Sequence, residues 1–234
     1  MQRYVVNDKL ELDIKDKKHI INVMRMKIGE CFQIINDNNL YTCKIIDIAN
    51  KDPLYEIINK EELNSNKNYK IILACSLIKE QKWDYLLQKA TELGVDEIIP
   101  LVTDRTVVKI DNKKDNKINR WNRIIKEAVE QSHKVKIPKL HDISTIKDLL
   151  NENFDLKILC NTNELSKNIK KVLQDSKKSD TIIIVVGPEG GFSKKEVKMF
   201  TENNFISTSL GENVLRAETV PLYVLSIINY EFMR

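Results

Sequence analysis

The stretch that decides the fold is Thr181-Ile182-Ile183-Ile184-Val185-Val186-Gly187-Pro188-Glu189-Gly190-Gly191-Phe192-Ser193. Its apolar first half predicts a buried strand. Its second half is a loop with three of the chain's six glycines, and Ser193 with Glu196 forms a capping-box pattern that begins a helix. In open α/β sheets, ligands bind at the carboxyl ends of strands. Glycines at such a place let backbone amides approach a ligand, because no Cβ stands in the way.

The glycine loop does not match the common phosphate-binding motifs. A Walker loop needs Gly-Lys where this chain has Phe192-Ser193, and Gly187-Pro188-Glu189 breaks the dinucleotide fingerprint. The carboxylate of Glu189 would also repel a phosphate. The loop therefore favours a neutral or cationic ligand.

The pattern around this loop predicts two domains. Residues 60–69 are polar and lack apolar periodicity, which indicates a linker. Before the linker, short β-type stretches indicate a small barrel; after it, strands alternate with helices, which indicates an α/β domain. We place the domains at 1–68 and 69–234. The predicted elements are strands at 31–35, 40–48, 54–58, 70–75, 97–102, 156–160 and 181–186, and helices at 82–93, 118–132, 193 onward and 221–232.

Composition excludes several classes of protein. The 234 residues contain no apolar run of the 18 or so needed for a membrane-spanning helix, and the N-terminus lacks the apolar segment of a signal peptide. The four cysteines are scattered, without a CxxC pair, and the three histidines show no metal-ligand spacing. We therefore expect a cytoplasmic protein without a metal or a membrane partner.

Positive charge is concentrated in residues 109–147, which carry 11 basic and 5 acidic side chains, although the whole chain is only +4. Such a segment is typical of a surface that binds a polyanion such as nucleic acid. A solvated lysine-rich surface is an equally good interpretation of the charge alone.

A second group of residues follows at 209–219, where a glycine turn and two apolar residues precede Arg216 and Glu218. An arginine and a glutamate in a loop usually form a surface ion pair. Beside a glycine-rich ligand loop they become candidate catalytic groups.

These motifs together resemble the RsmE family of ribosomal RNA methyltransferases, within the SPOUT superfamily. The resemblance covers essentially the whole chain in the family's order. It rests on Gly187–Ser193, Leu210-Gly211, Val214–Thr219, Lys89–Pro100, Thr103–Thr106, Arg120–Ser132, Arg3-Tyr4 and His19–Gly29.

The resemblance implies a PUA-like β-barrel followed by a trefoil-knotted methyltransferase domain with a parallel sheet, in a homodimer. It also implies S-adenosylmethionine as cofactor, a cation that suits the loop. The implied cofactor-binding residues are Cys160, Asn161, Val186, Gly187, Pro188, Glu189, Gly190, Gly191, Leu210, Gly211, Val214, Leu215 and Thr219.

The implied reaction is methylation of N3 of a uridine in 16S rRNA of the small ribosomal subunit, uracil 1498 in standard ribosomal numbering. Arg216 would stabilise charge on the uracil oxygens, and Glu218 would accept the proton or orient Arg216. The expected RNA contacts are Arg3, Arg25, Lys27, Arg105, Arg123, Gln131 and Ser132. Two alternatives remain: methylation of another RNA atom, such as a ribose 2′-hydroxyl, and a non-catalytic RNA-binding protein.

Overall fold

The computed structural model describes residues 1–63, 67–108, 114–176 and 180–232, and the chain forms two compact units. The first unit comprises the residues before Lys67 together with Lys126–Ile137. The second comprises Lys67–Ile125 and the chain from Pro138 onward. The first unit is therefore built from two separate segments. No sequence signal indicated the second segment, and the domain boundary after residue 68 stays a prediction.

The first unit contains a four-stranded sheet in the order β1-β2-β3-β4, in which β1 and β2 are parallel and the other pairs are antiparallel. A short helix, α1, leads into a π-helical turn at His19–Val23. Asp37 lies in the turn between the paired strands Cys31–Asn36 and Asn39–Ala49 and has a φ of 46°, a conformation that Asp tolerates. The elements are β1 (Arg3–Val5), α1 (Ile14–Lys18), β2 (Cys31–Asn36), β3 (Asn39–Ala49) and β4 (Asp52–Glu62).

The predicted linker begins too early. Lys60–Glu62 belongs to β4, where these residues pair with Tyr41, Leu40 and Asn39 of β3. Their polar side chains are exposed on the strand, so the absence of apolar periodicity concealed it.

Within the described part of the second unit, seven parallel strands form one sheet in the order β11-β9-β10-β5-β6-β7, with β8 also pairing with β6. The predicted strands and helices of this part are all present, within a few residues of the expected bounds. The strands are β5 (Lys70–Ser76), β6 (Glu97–Val102), β7 (Lys139–Leu140), β8 (Ser144–Thr145), β9 (Leu156–Cys160), β10 (Thr181–Val186) and β11 (Ile206–Thr208). The helices are α2 (Glu80–Glu92), α3 (Lys114–Ser132), α4 (Ile146–Leu150), α5 (Ile169–Asp175), α6 (Lys194–Glu202) and α7 (Thr219–Phe232).

Strand β10 lies between two apolar layers. Ile182, Ile184 and Val186 face one cluster of buried side chains, and Ile183 and Val185 face the other. Both faces of the sheet are thus covered, which is the normal state of a parallel sheet. The α/β fold with a parallel sheet is confirmed, whereas the trefoil knot stays a prediction.

Trp83 and Trp121 fall at apolar positions of the predicted helices 82–93 and 118–132, which predicts core residues and not platforms for RNA bases. Trp83 and Trp121 are 1% and 5% exposed, and their ring centroids lie 5.5 Å apart. Both pack in the cluster that also contains α7. The prediction is confirmed.

The C-terminal half of α3 joins the first unit through a buried ionic cluster. The N–H of Val5 donates to Glu130 Oε1 at 2.9 Å. Lys126 Nζ lies 2.6 Å from a carboxylate oxygen of Asp13, 2.7 Å from one of Asp16 and 3.8 Å from Glu130 Oε1. Three carboxyl groups therefore share one ammonium, and those of Asp16 and Glu130 are buried, whereas that of Asp13 is 53% exposed.

Candidate cofactor and catalytic site

A cavity of about 470 Å³ lies in the second unit, where β9 and β10 end. Strand β10 pairs with β5 on one side and β9 on the other, so that Val186 lies between Cys75 and Cys160. The loops that follow these strands bring most of the lining residues together. The volume is within the range of cavities that hold a small ligand.

Nearly all of the predicted cofactor-binding residues line this cavity. They are Cys160, Asn161, Val186, Gly187, Pro188, Glu189, Gly190, Gly191, Leu210, Gly211, Val214 and Leu215. Thr219 is the exception: it lies outside the lining, at the first position of α7, where its N–H donates to the Arg216 carbonyl at 2.9 Å. Its backbone is used to start the helix.

The glycine loop has a conformation that explains two of its glycines. The N–H of Gly191 donates to the Pro188 carbonyl at 2.8 Å, which closes a tight turn, and Gly191 has a φ of +66°. A Cβ on Gly187 would lie 3.1 Å from the Phe192 ring. Gly211, on the second loop, has a φ of +125°, a region that only glycine adopts easily. The backbone of the two loops therefore requires glycine at positions 187, 191 and 211.

The wall formed by residues 161–165 contains polar groups that the sequence analysis missed. Asn161 Nδ2 donates to Ser207 Oγ at 3.1 Å. Hydrogen bonds from the hydroxyl and backbone N–H of Ser166 lower the pKa of Glu164 to about 2. Glu164 is thus a permanent anion in the lining of the cavity. The sequence could have indicated Glu164 as a site residue, because it lies in the loop that follows β9.

Lys82 is a second missed residue. It lies in the first turn of α2 and lines the cavity, and its Nζ is 3.0 Å and 3.1 Å from the two carboxylate oxygens of Glu218. Burial of Glu218 opposes its ionisation, but its own backbone N–H, Lys82 and Arg216 lower the pKa of the carboxyl below its ordinary value. An ionised carboxylate of low pKa is a poor proton acceptor. Glu218 therefore pairs with Lys82 in this structure, and its role in accepting the proton or orienting Arg216 stays a prediction.

Arg216 lines the same cavity and is exposed. Among the residues that the structure describes, its side chain has no hydrogen-bond or ion-pair partner, although it acts on Glu218 through its charge. Its five N–H groups are available to a second molecule at the rim.

The predicted RNA contacts differ in their surroundings. Arg3 is buried inside the first unit, where its guanidinium donates to the His133 carbonyl at 2.9 Å, so we assign it a structural role. The Ser132 hydroxyl donates to the Ala128 carbonyl of its own helix at 2.7 Å. Arg105 donates to the Gly190 carbonyl of the glycine loop at 2.6 Å. The side chains of Arg25, Lys27, Arg123 and Gln131 are exposed.

The basic segment is partly neutralised. Arg120 forms ion pairs with Glu80 and Asp84, and Lys126 belongs to the ionic cluster of the first unit. Residues 109–113 lie outside the described residues. The net charge of residues 109–147 is therefore larger than the positive charge that remains available to attract a polyanion.

The two parts of the chain match two family models, which together define the class as an RNA methyltransferase with a PUA domain. The family model for an RNA methyltransferase domain matches residues 65–229, and that for an RNA methyltransferase PUA domain matches residues 12–58. The chain belongs to the family of ribosomal RNA small subunit methyltransferase E.

Known relatives support this assignment. Ribosomal RNA small subunit methyltransferase E of Bacillus subtilis is 36% identical, with 91% of this chain and 86% of the relative covered. The protein of that name from Neisseria gonorrhoeae, solved with bound S-adenosylmethionine, has a TM-score of 0.87 and 25% identity, with 98% and 97% covered. A Legionella pneumophila protein, also solved with bound S-adenosylmethionine, has a TM-score of 0.91 and 31% identity, with 98% and 97% covered.

Proposed function

We propose that this protein transfers a methyl group from S-adenosylmethionine to N3 of a uridine in small-subunit rRNA, uracil 1498 in standard ribosomal numbering. The chain is an rRNA methyltransferase by family, and its target atom is our inference. One observation carries the proposal: an exposed arginine without a partner among the described residues stands beside a glycine-lined cavity.

The cavity fits S-adenosylmethionine. Its volume of about 470 Å³ suits a ligand of that size. The lining combines apolar side chains with charged groups of both signs. The carboxylates of Glu164, Glu189 and Glu212 can face the cofactor's cationic groups, and the cations are Lys82, Arg105 and Arg216. Burial raises the pKa of the Cys160 thiol to about 12, so this residue stays neutral. Gly187–Gly191 would hold the cofactor through the backbone, and Val214 and Leu215 through apolar contact.

For methylation at N3 the uracil must lose its N3 proton, which in this proposal passes to water, before N3 attacks in line. Bound S-adenosylmethionine supplies an electrophilic methyl group. Loss of the N3 proton leaves negative charge on N3 and on the uracil oxygens, and this charge would be consumed as the new N–CH3 bond formed and the S–CH3 bond broke, leaving a neutral thioether. Arg216 is placed to donate to these oxygens, because its guanidinium lies at the cavity and is not otherwise used. Lys82, held by Glu218, adds a second positive charge at the cavity.

The two domains divide the work in this proposal. Residues 1–68 would bind RNA through Arg25 and Lys27, which are exposed, and residues 69–234 would carry out methyl transfer. A base inside folded RNA must leave its stack to reach the cavity. A cytoplasmic location follows from the rRNA substrate. No helix in the described ranges has the length and apolar character to cross a membrane.

We also propose a homodimer. Helix α7 buries Val224, Leu225 and Ile228 in its own unit but exposes Tyr223 and Tyr230. Light scattering should give the mass of two 27.3-kDa chains. Tyr230→Glu should shift the protein toward the monomer, whereas Glu202→Ala on α6 should not. A wild-type monomer that is fully active would contradict the proposal.

The target atom is tested by mapping modified bases in small-subunit rRNA from cells with and without this protein. N3-methyluridine that disappears with the gene and returns with it supports the proposal. Loss of a ribose 2′-O-methyl group instead would favour the alternative target atom. An unchanged modification map would contradict catalysis.

A further inference from the structure

The turn that follows β6, Thr103–Thr106, contacts the cofactor loop at two points. Arg105 Nη1 donates to the Gly190 carbonyl at 2.6 Å. A Cβ built on Gly190 would lie 3.4 Å from Arg105 Cδ, so the arginine stem also lies along this glycine. Arg105 therefore contacts the loop through both its guanidinium group and the aliphatic part of its side chain.

The second point of contact is a buried carboxylate. Glu196 is 3% exposed and accepts the N–H of Ser193 at 2.7 Å with one oxygen and the N–H of Asp104 at 2.7 Å with the other. The first bond belongs to the capping box of α6; the second is additional and reaches the turn. Ser193 Oγ also donates to Asp104 Oδ2 at 2.6 Å. The end of the cofactor loop is thereby tied to the turn.

The turn is itself well fixed. The N–H of Thr103 donates to Thr106 Oγ1 at 2.9 Å, and the Thr103 hydroxyl lies 3.2 Å from Ser76 Oγ of β5. A rigid turn can therefore impose its geometry on a loop rich in glycine, which has more backbone freedom than any other residue.

We propose that Arg105 is a positioning residue for cofactor binding, which holds the Gly190–Gly191 peptide in its binding conformation. Both polar groups of that peptide are occupied, the carbonyl by Arg105 and the N–H by the Pro188 carbonyl. A loop fixed before the ligand arrives loses less conformational freedom on binding. This proposal rests on the cofactor part of the proposed function and not on its RNA target.

Titration calorimetry with S-adenosylmethionine tests the proposal without RNA. We expect Arg105→Ala to raise the Kd about tenfold, as for one lost charge-assisted hydrogen bond. Arg105→Lys should restore part of the affinity. Lys198→Ala, which removes an exposed cation from α6, should leave the Kd unchanged. Arg105 and Gly190 are both exposed, so these variants should fold, with unfolding midpoints near that of the wild type.

The competing assignment is that Arg105 contacts RNA. An unchanged Kd for S-adenosylmethionine in Arg105→Ala, with weaker binding of a small-subunit rRNA fragment, would overturn the proposal. In steady-state assays we expect a raised KM for the cofactor and a kcat close to wild type. Glu196→Gln is a second test, because an amide can accept only one of the two N–H groups; it too should weaken cofactor binding. Failure of the wild type to bind would overturn the cofactor assignment and this proposal together, whereas an unmodified uridine N3 would overturn only the target.

Discussion

Arg216→Ala should lower the rate of methyl transfer by roughly a hundred- to a thousandfold, the usual cost of removing one donor to a developing oxyanion. The guanidinium stands at the cavity with no partner among the described residues. If it stabilises the uracil anion, its contribution is largest in the transition state, so the loss falls on turnover more than on substrate binding.

Binding measurements on the same variant separate this role from others. The affinity for S-adenosylmethionine should change by no more than a few-fold, because a guanidinium would repel the sulfonium if the two were in contact. RNA affinity should fall slightly, as for the loss of one of many cations. Single-turnover methylation gives the rate, and Lys195→Ala, an exposed cation on α6, is the matched control. Lost cofactor binding with normal chemistry in the remaining complex would give Arg216 a structural role.

Glu130→Gln should make the protein more stable than the wild type at pH 8. Burial raises the pKa of the Glu130 carboxyl from 4.5 to about 7. The charges of Asp16 and Asp13 add to this shift, whereas the Val5 N–H and Lys126 oppose it. A carboxyl with a raised pKa binds its proton more tightly in the folded protein than in the unfolded chain. Its contribution to the free energy of unfolding is therefore full below pH 4.5 and is lost as the pH rises to 7.

The size of the stability difference follows from the shift in the pKa of Glu130. A pKa moved from 4.5 to about 7 corresponds to about 3 kcal/mol of unfolding free energy. Glutamine keeps the oxygen that accepts the Val5 N–H and removes the charge. Urea titrations between pH 5 and pH 8 should therefore show that the free energy of unfolding of the variant increases relative to that of the wild type as the pH rises. A constant difference between the two would contradict the raised pKa, and Glu127→Gln, an exposed carboxylate on the same helix, serves as the control.

The sequence predicted the elements of the second unit well because their signals are local. An apolar run such as Ile182–Val186 is stable only when it is buried. The capping box at Ser193 marks the start of α6 within a few residues. The glycine loop after β10 was found for the same reason, whereas the full set of cofactor-binding residues came from the resemblance to the family. The exposed part of β4 was missed because its apolar pattern is absent.

The contacts that decide roles could not be predicted, because they join residues far apart in the chain. Lys82 meets Glu218 across 136 positions, and Arg105 meets Gly190 across 85. A resemblance can name Glu218 as a candidate, but only the ion pair shows that its carboxylate is already engaged. Arg3 likewise looks like an RNA contact until its burial is seen.

The first unit is discontinuous, and this limits how the molecule can be divided. Lys126–Ile137 lies in the middle of the chain yet belongs to the N-terminal unit, where Val129 is fully buried beside Val5 and Ile35. A fragment that ends before residue 69 would lack this piece of its core. A fragment that begins there would carry Val129 and the carboxyl of Glu130 without their neighbours. The first unit is therefore not a detachable module: it cannot be moved to another protein as one continuous stretch of chain.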